Sequence, residues 1–165
     1  MAVESVISYY QEDNVMTSSG TRLELWKSAL IMTKESNLLG FGEAQFSKHM
    51  RRLIQEGKVN RSVGARAIPH NQYLNSLSEQ GVIGLISLLM MLLIPLKISV
   101  HIIRNNEKNK FIALFPAILI IAYMDFMITL ATLERALMVT IYAFLISILM
   151  GILVHENSKP ATSPP

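Results

Sequence analysis

The chain has 165 residues, is 51% hydrophobic and 16% charged, and carries no cysteine; its mean hydropathy is +0.37. A charged share well below the roughly 25% of soluble chains, with apolar residues gathered in blocks, argues against an ordinary soluble domain, and the lack of cysteine removes disulfides and thiolate metal sites. The four histidines, His49, His70, His101 and His155, show no ligand spacing, so no metal is expected, and a net charge of +3 without a basic, aromatic-interleaved module points away from nucleic acid.

Residues 1–17 carry little pattern beyond Val6, Ile7, Tyr9 and Tyr10. Thr21-x-x-Glu24 then reads as a capping box leading into Leu23, Trp26, Leu30 and Thr33, a stripe that predicts a helix over about residues 21–34. Arg22 falls in its predicted first turn, where unpaired N–H groups favour an anion and a guanidinium adds paired donors suited to phosphate oxygens. A solvated arginine at a helix start fits the same spacing. Asn37-Leu38-Leu39-Gly40-Phe41-Gly42 follows, with two glycines that permit a turn or a close backbone approach. A second helix is predicted over residues 43–55, with Phe46, Met50, Leu53 and Ile54 on its apolar side. Lys48, Arg51, Arg52, Lys58, Arg61 and Arg66 lie on the other side and in the next loop, against the single acid Glu56. That cluster could attract anionic headgroups or a diphosphate, or be a solvated basic face.

Pro69 halts the loop, and His70-Asn71 opens a helix whose Tyr73, Leu74, Leu77 and Gly81 are predicted to face one way. This helix is expected to run into the membrane with a kink at Gly81 or Gly84. A lone histidine is more often a capping or core residue than a catalyst. An imidazole, however, suits acid–base work near neutrality, and His70 stands where a lipid-borne substrate would present its polar head.

Three apolar segments follow, residues 82–103, 111–130 and 137–154. Each is near the ~20 residues that cross ~30 Å of hydrocarbon as a helix. The predicted fold is therefore an all-α polytopic membrane protein: a helical loop region over 1–80, three transmembrane helices within 81–155, and a disordered Pro- and Ser-rich tail over 156–165. Pro95 is expected to bend the first span while Lys97 snorkels. Arg104, Lys108 and Lys110 between the first two spans place that loop in the cytoplasm, which puts 1–80 on the outer face and the C-terminus inside. Asp125 interrupts the second span, either as a functional intramembrane carboxylate or by reaching the interface. No secretory signal precedes residues 1–80, so this chain is expected to be the C-terminal part of a larger helical bundle.

Ser19-Gly20-Thr21-Arg22-Leu23-Glu24-Leu25-Trp26, then Leu39-Gly40-Phe41-Gly42, then His70-Asn71-Gln72-Tyr73-Leu74 with Glu79-Gln80-Gly81 resemble the O-antigen ligase and polymerase superfamily in order and spacing, over roughly residues 18–154. The resemblance implies a metal- and cofactor-independent glycosyltransferase of the bacterial inner membrane, working on the periplasmic face. It would move a glycan from undecaprenyl diphosphate to the lipid A-core in lipopolysaccharide assembly. It further implies that Arg22 engages the donor diphosphate and that His70 is the base near the acceptor hydroxyl. Arg51, Arg52, Arg66, Tyr73 and Asp125 are secondary candidates. Members of the family have about a dozen spans and a further phosphate-binding arginine in earlier helices, which this chain lacks. An O-antigen polymerase, a protein-glycan ligase, a non-catalytic membrane-anchored assembly subunit and a transporter fragment are the alternatives.

Overall fold

The computed structural model describes residues 17–64 and 68–158; Arg66 and the tail beyond residue 158 lie outside them. Among the described residues all regular structure is helical: α1 (Ser18–Glu35), α2 (Phe46–Gln55), α3 (Gln72–Asn105), α4 (Lys110–Thr129) and α5 (Ala136–Ser158), with short 3-10 turns at Arg61–Val63 and Thr132–Glu134. The chain divides into two units, the first ending at Leu88 and including Ile128–Ala131, the second made of Leu89–Met127 and the residues from Thr132 on.

In the first unit, α1 begins earlier than the capping box implies. Thr17 is the N-cap, its hydroxyl accepting from the Gly20 amide at 3.0 Å, and the Thr21 amide already bonds the Thr17 carbonyl at 2.9 Å. Arg22 therefore lies beyond the four unpaired amides of the helix start, and the anion-favouring first turn is not its setting. Glu24 does a different job. It is buried, and its Oε1 accepts from the Asn60 amide at 3.0 Å and from Lys27 Nζ at 3.2 Å. The carboxylate thus pins the chain after α2 to α1.

α1 and α2 both end in Schellman motifs. At α1, Leu38 N–H reaches the Thr33 carbonyl (3.0 Å) and Asn37 N–H the Lys34 carbonyl (3.2 Å), with Asn37 at φ 52°. At α2, Lys58 N–H reaches Leu53 (2.9 Å) and Gly57 N–H reaches Ile54 (3.2 Å), with Gly57 at φ 71°. These stops turn the chain so that Leu25, Ala29 and Met32 of α1 meet Phe46, Met50 and Leu53 of α2, closed by Val59 and Val63. The predicted apolar face of α2 is the observed one, with Ile54 against the same core. The helix starts at Phe46 rather than residue 43 because Ala44, at φ 59°, is in a turn.

α3 is broken at Gly81 (φ 71°, ψ −165°), the first of the two predicted kink positions. Before the break its buried residues are polar: Gln72, Asn75, Ser76 and Ser78, with Asn71 just ahead. The expected apolar face of Tyr73, Leu74 and Leu77 is only half-buried. Backbone bonds explain this. Phe41 N–H donates to the Ser78 carbonyl (3.0 Å), Gly42 N–H to Glu79 (2.8 Å) and Val82 N–H to Leu38 (2.9 Å), so the Leu38–Gly42 stretch runs against this turn of helix. Gly40 and Gly81 face each other in that crossing. A Cβ on Gly81 would stand 2.3 Å from the Leu38 carbonyl oxygen, and one on Gly40 would stand 2.4 Å from that of Glu79.

α3, α4 and α5 are long and apolar enough to cross a membrane, matching the predicted segments. In the second unit Pro95 does not break α3, whose non-helical dihedrals are at Gly81. A proline at position 95 leaves the Met91 carbonyl without its i+4 amide. The Tyr142 hydroxyl donates to that carbonyl at 3.3 Å. Tyr142 is buried and its ring lies 4.8 Å from that of Tyr123, whose own hydroxyl donates to the Met138 carbonyl. Ile102, Ala113 and Leu153 cluster nearer the other end, where Asn106 bonds Asn157 at 2.8 Å. α5 continues to Ser158, so the first residues assigned to the disordered tail are helical.

Candidate functional site

The site is built in the first unit around His70. His70 is exposed and has φ 48°, the left-handed region that histidine enters more readily than most residues. Both neighbours hold it there. Trp26 donates its indole N–H to the Pro69 carbonyl at 3.0 Å, and Pro69 is buried. Asn71 is the N-cap of α3: its Oδ1 accepts from Leu74 N–H at 3.0 Å, while its Nδ2 donates to the Ile128 carbonyl at 3.1 Å. The backbone on either side of the imidazole is thereby fixed while the ring itself faces solvent.

Arg22 is exposed on α1, one helical turn before Trp26, and so lies on the same side of that helix. The Trp26 to Pro69 hydrogen bond joins the two segments that carry the predicted diphosphate ligand and the predicted base. Periodicity places Trp26 only on the apolar stripe of the first helix and Asn71 only at the opening of the next, with no part in fixing His70. The signal for Trp26 was its spacing from Arg22; Asn71 had only its place beside His70.

The secondary candidates separate. Arg51 is exposed on α2. Arg52 is ion-paired with Glu35, 3.8 Å from Glu56, and 5.9 Å above the Phe41 ring. Lys58 pairs with Glu35 at 2.8 Å and Glu56 at 2.7 Å. The basic cluster thus has a second acid, Glu35, delivered by the end of α1. Lys58 first, and Arg52 after it, hold the Glu35 carboxyl below its ordinary 4.5. His49 stacks on Phe41 with centroids 3.7 Å apart; its loss of water, followed by repulsion from Arg52 and Lys48, lowers its pKa from 6.5. Tyr73 is half-buried in the first turn of α3, and Asp125 stands exposed on α4 in the second unit.

The profile of the O-antigen ligase family matches residues 2–89, the segment that contains Arg22, Trp26 and His70 and ends within the first span. The chain belongs to that family, and with its three spanning helices it is a membrane protein. A Haemophilus influenzae (strain Rd) protein, described as uncharacterized, is 28% identical over 126 residues, 74% of this chain. The chain spans 31% of the length of that relative. No solved structure matches.

Proposed function

We propose that this chain carries the acceptor-activating and diphosphate-binding part of an O-antigen ligase, which transfers a glycan from undecaprenyl diphosphate to the lipid A-core. The single observation that supports it best is the Trp26 to Pro69 hydrogen bond, which unites the Arg22 and His70 segments inside the family-matched region. In the reaction an acceptor hydroxyl oxygen attacks the anomeric carbon of the donor sugar, and the bond from that carbon to the diphosphate oxygen breaks. His70 takes the hydroxyl proton, and Arg22 neutralises charge developing on the departing diphosphate. No step calls on a metal or cofactor.

On this reading residues 1–80 face the periplasm of the inner membrane and the C-terminus faces the cytoplasm, as the Arg104, Lys108 and Lys110 loop favours. The Asn106 to Asn157 bond supports the second half, because it joins that loop to the C-terminal end of α5. The test is complementation of a strain lacking the complete protein. His70→Ala is expected to slow lipopolysaccharide capping by ~10²–10⁴-fold, the usual range for a lost general base, with normal amounts of protein in the membrane. Arg22→Lys is expected to retain part of the activity that Arg22→Ala loses. Unchanged capping in His70→Ala and Arg22→Ala overturns the assignment. Normal attachment to core with altered chain length would assign the chain to a polymerase instead.

A further inference from the structure

The crossing of the Leu38–Gly42 stretch over α3 leaves two leucines largely exposed. Leu38 is 54% exposed and Leu39 71%. Their exposure is built in rather than accidental. Leu38 has φ 68°, a left-handed conformation that a leucine rarely adopts. A Schellman motif commonly packs its last residue on the helix it ends, yet here the facing position is Thr33, and Leu38 stays outside. The Leu38 carbonyl is bonded to the Val82 amide, and Gly40 and Gly81 are in backbone contact, so the loop cannot swing the leucines inward without undoing the crossing.

Val82 is the first residue of the apolar part of α3. From there to Asn105, at ~1.5 Å per residue, the helix slightly exceeds the ~30 Å of a hydrocarbon core, so its first turn belongs at the headgroup boundary. Ile83, in that turn, is 73% exposed. Leu38 is therefore hydrogen-bonded to the chain at the depth where lipid begins, and Leu39 is its neighbour.

We propose that Leu38 and Leu39 dip into the bilayer interface beside the start of the first span, as a membrane anchor for the α1 end of the first unit. The occupant of this surface is lipid, because the Leu38 carbonyl is bonded to Val82 at the start of a helix apolar enough to span a membrane, and burial there would remove the exposed leucine area from water. The inference concerns how the unit is held at the membrane and is independent of glycan transfer.

The full chain has no cysteine of its own, so Leu39→Cys gives one attachment point for an environment-sensitive nitrobenzoxadiazole label. Ile83→Cys serves as the lipid reference and Ser62→Cys, on the exposed 3-10 turn, as the water reference. In vesicles containing lipids spin-labelled near the headgroup, the Leu39 label is expected to be quenched by the lipid several-fold more than the Ser62 label, and to resist aqueous iodide as the Ile83 label does. Iodide quenching equal to that at Ser62 overturns the proposal. So does shielding from both quenchers, which would mean that protein covers the leucines. If labelling at residue 39 unfolds the loop, the same comparison at Leu38→Cys decides between these outcomes.

Discussion

The two units use apolar side chains in opposite ways. In the first, Leu25, Met50 and Leu53 are almost wholly buried against one another, while Leu137 and Phe144 of α5 in the second remain about two-thirds exposed. In the first unit apolar residues close on one another in a buried core, as the hydrophobic effect drives them to; the second consists largely of helices apolar enough to cross a membrane, where lipid gives no such drive. What must be satisfied in lipid is the backbone, and the second unit spends its buried hydroxyls on carbonyls, as Tyr142 does for the amide missing at Pro95. In the first unit the polar groups fix separate segments instead: Glu24 holds the Asn60 loop, Trp26 holds the Pro69 loop, and Asn71 holds the last turn of α4 at Ile128.

The largest way to break this contrast is at Gly81. Gly81→Ala would combine a left-handed alanine with a methyl group pressed on the Leu38 and Leu39 carbonyls. Conformational strain of about 1–3 kcal/mol and overpacking of about 1–3 kcal/mol make loss of the folded first unit the expected result. It is read from the fluorescence of Trp26, the sole tryptophan, in detergent. Retention of native fluorescence and melting would show that the glycine contact is dispensable.

A smaller effect probes the second unit. Tyr142→Phe removes the donor to the Met91 carbonyl while keeping the ring on Tyr123. Hydrogen bonds within membrane bundles average ~0.6 kcal/mol, so a slight destabilisation is expected by thermal unfolding in detergent. A loss as large as that of Gly81→Ala would contradict the view that lipid-facing helices owe little to single polar contacts.

The smallest effect is a pH dependence confined to the first unit. The folded pKa of His49 lies below its ordinary 6.5 because of burial first and nearby cations second. The contribution of neutral His49 is therefore fully present above that value and is lost as pH falls through 6.5 towards the folded pKa. Wild type should lose melting temperature relative to His49→Phe between about pH 7.5 and about pH 5.5, since phenylalanine keeps the stack on Phe41 and does not titrate. Parallel curves would remove His49 from the explanation. Glu35 acts lower: its pKa is depressed below 4.5, so its pairing is lost only as pH falls through that lower value.

The spans were legible because composition alone decides them, and the break at Gly81 because a glycine at the polar-to-apolar border was one of two choices. The start of α1 was not, since both Thr17 and Thr21 offer caps and only the Asn60 amide, far along the chain, recruits Glu24 away from capping. The same distance hid Glu35 from Arg52 and Lys58. The polar face at Asn71, Asn75 and Ser78 was misread because periodicity sees side chains and not the backbone bonds that the Leu38–Gly42 stretch supplies. His70 and Arg22 were legible as residue types in a motif. Their linkage through Trp26 was not, because a hydrogen bond across 43 residues leaves no local pattern.

The central claim is that Arg22 and His70 work as one site, and a double-variant comparison in the complete protein tests it most directly. Residues acting in a single transition state are not additive. The account predicts that Arg22→Ala with His70→Ala transfers glycan no more slowly than the worse single variant. Losses that multiply, or a double variant that still caps lipopolysaccharide at the wild-type rate, would contradict it.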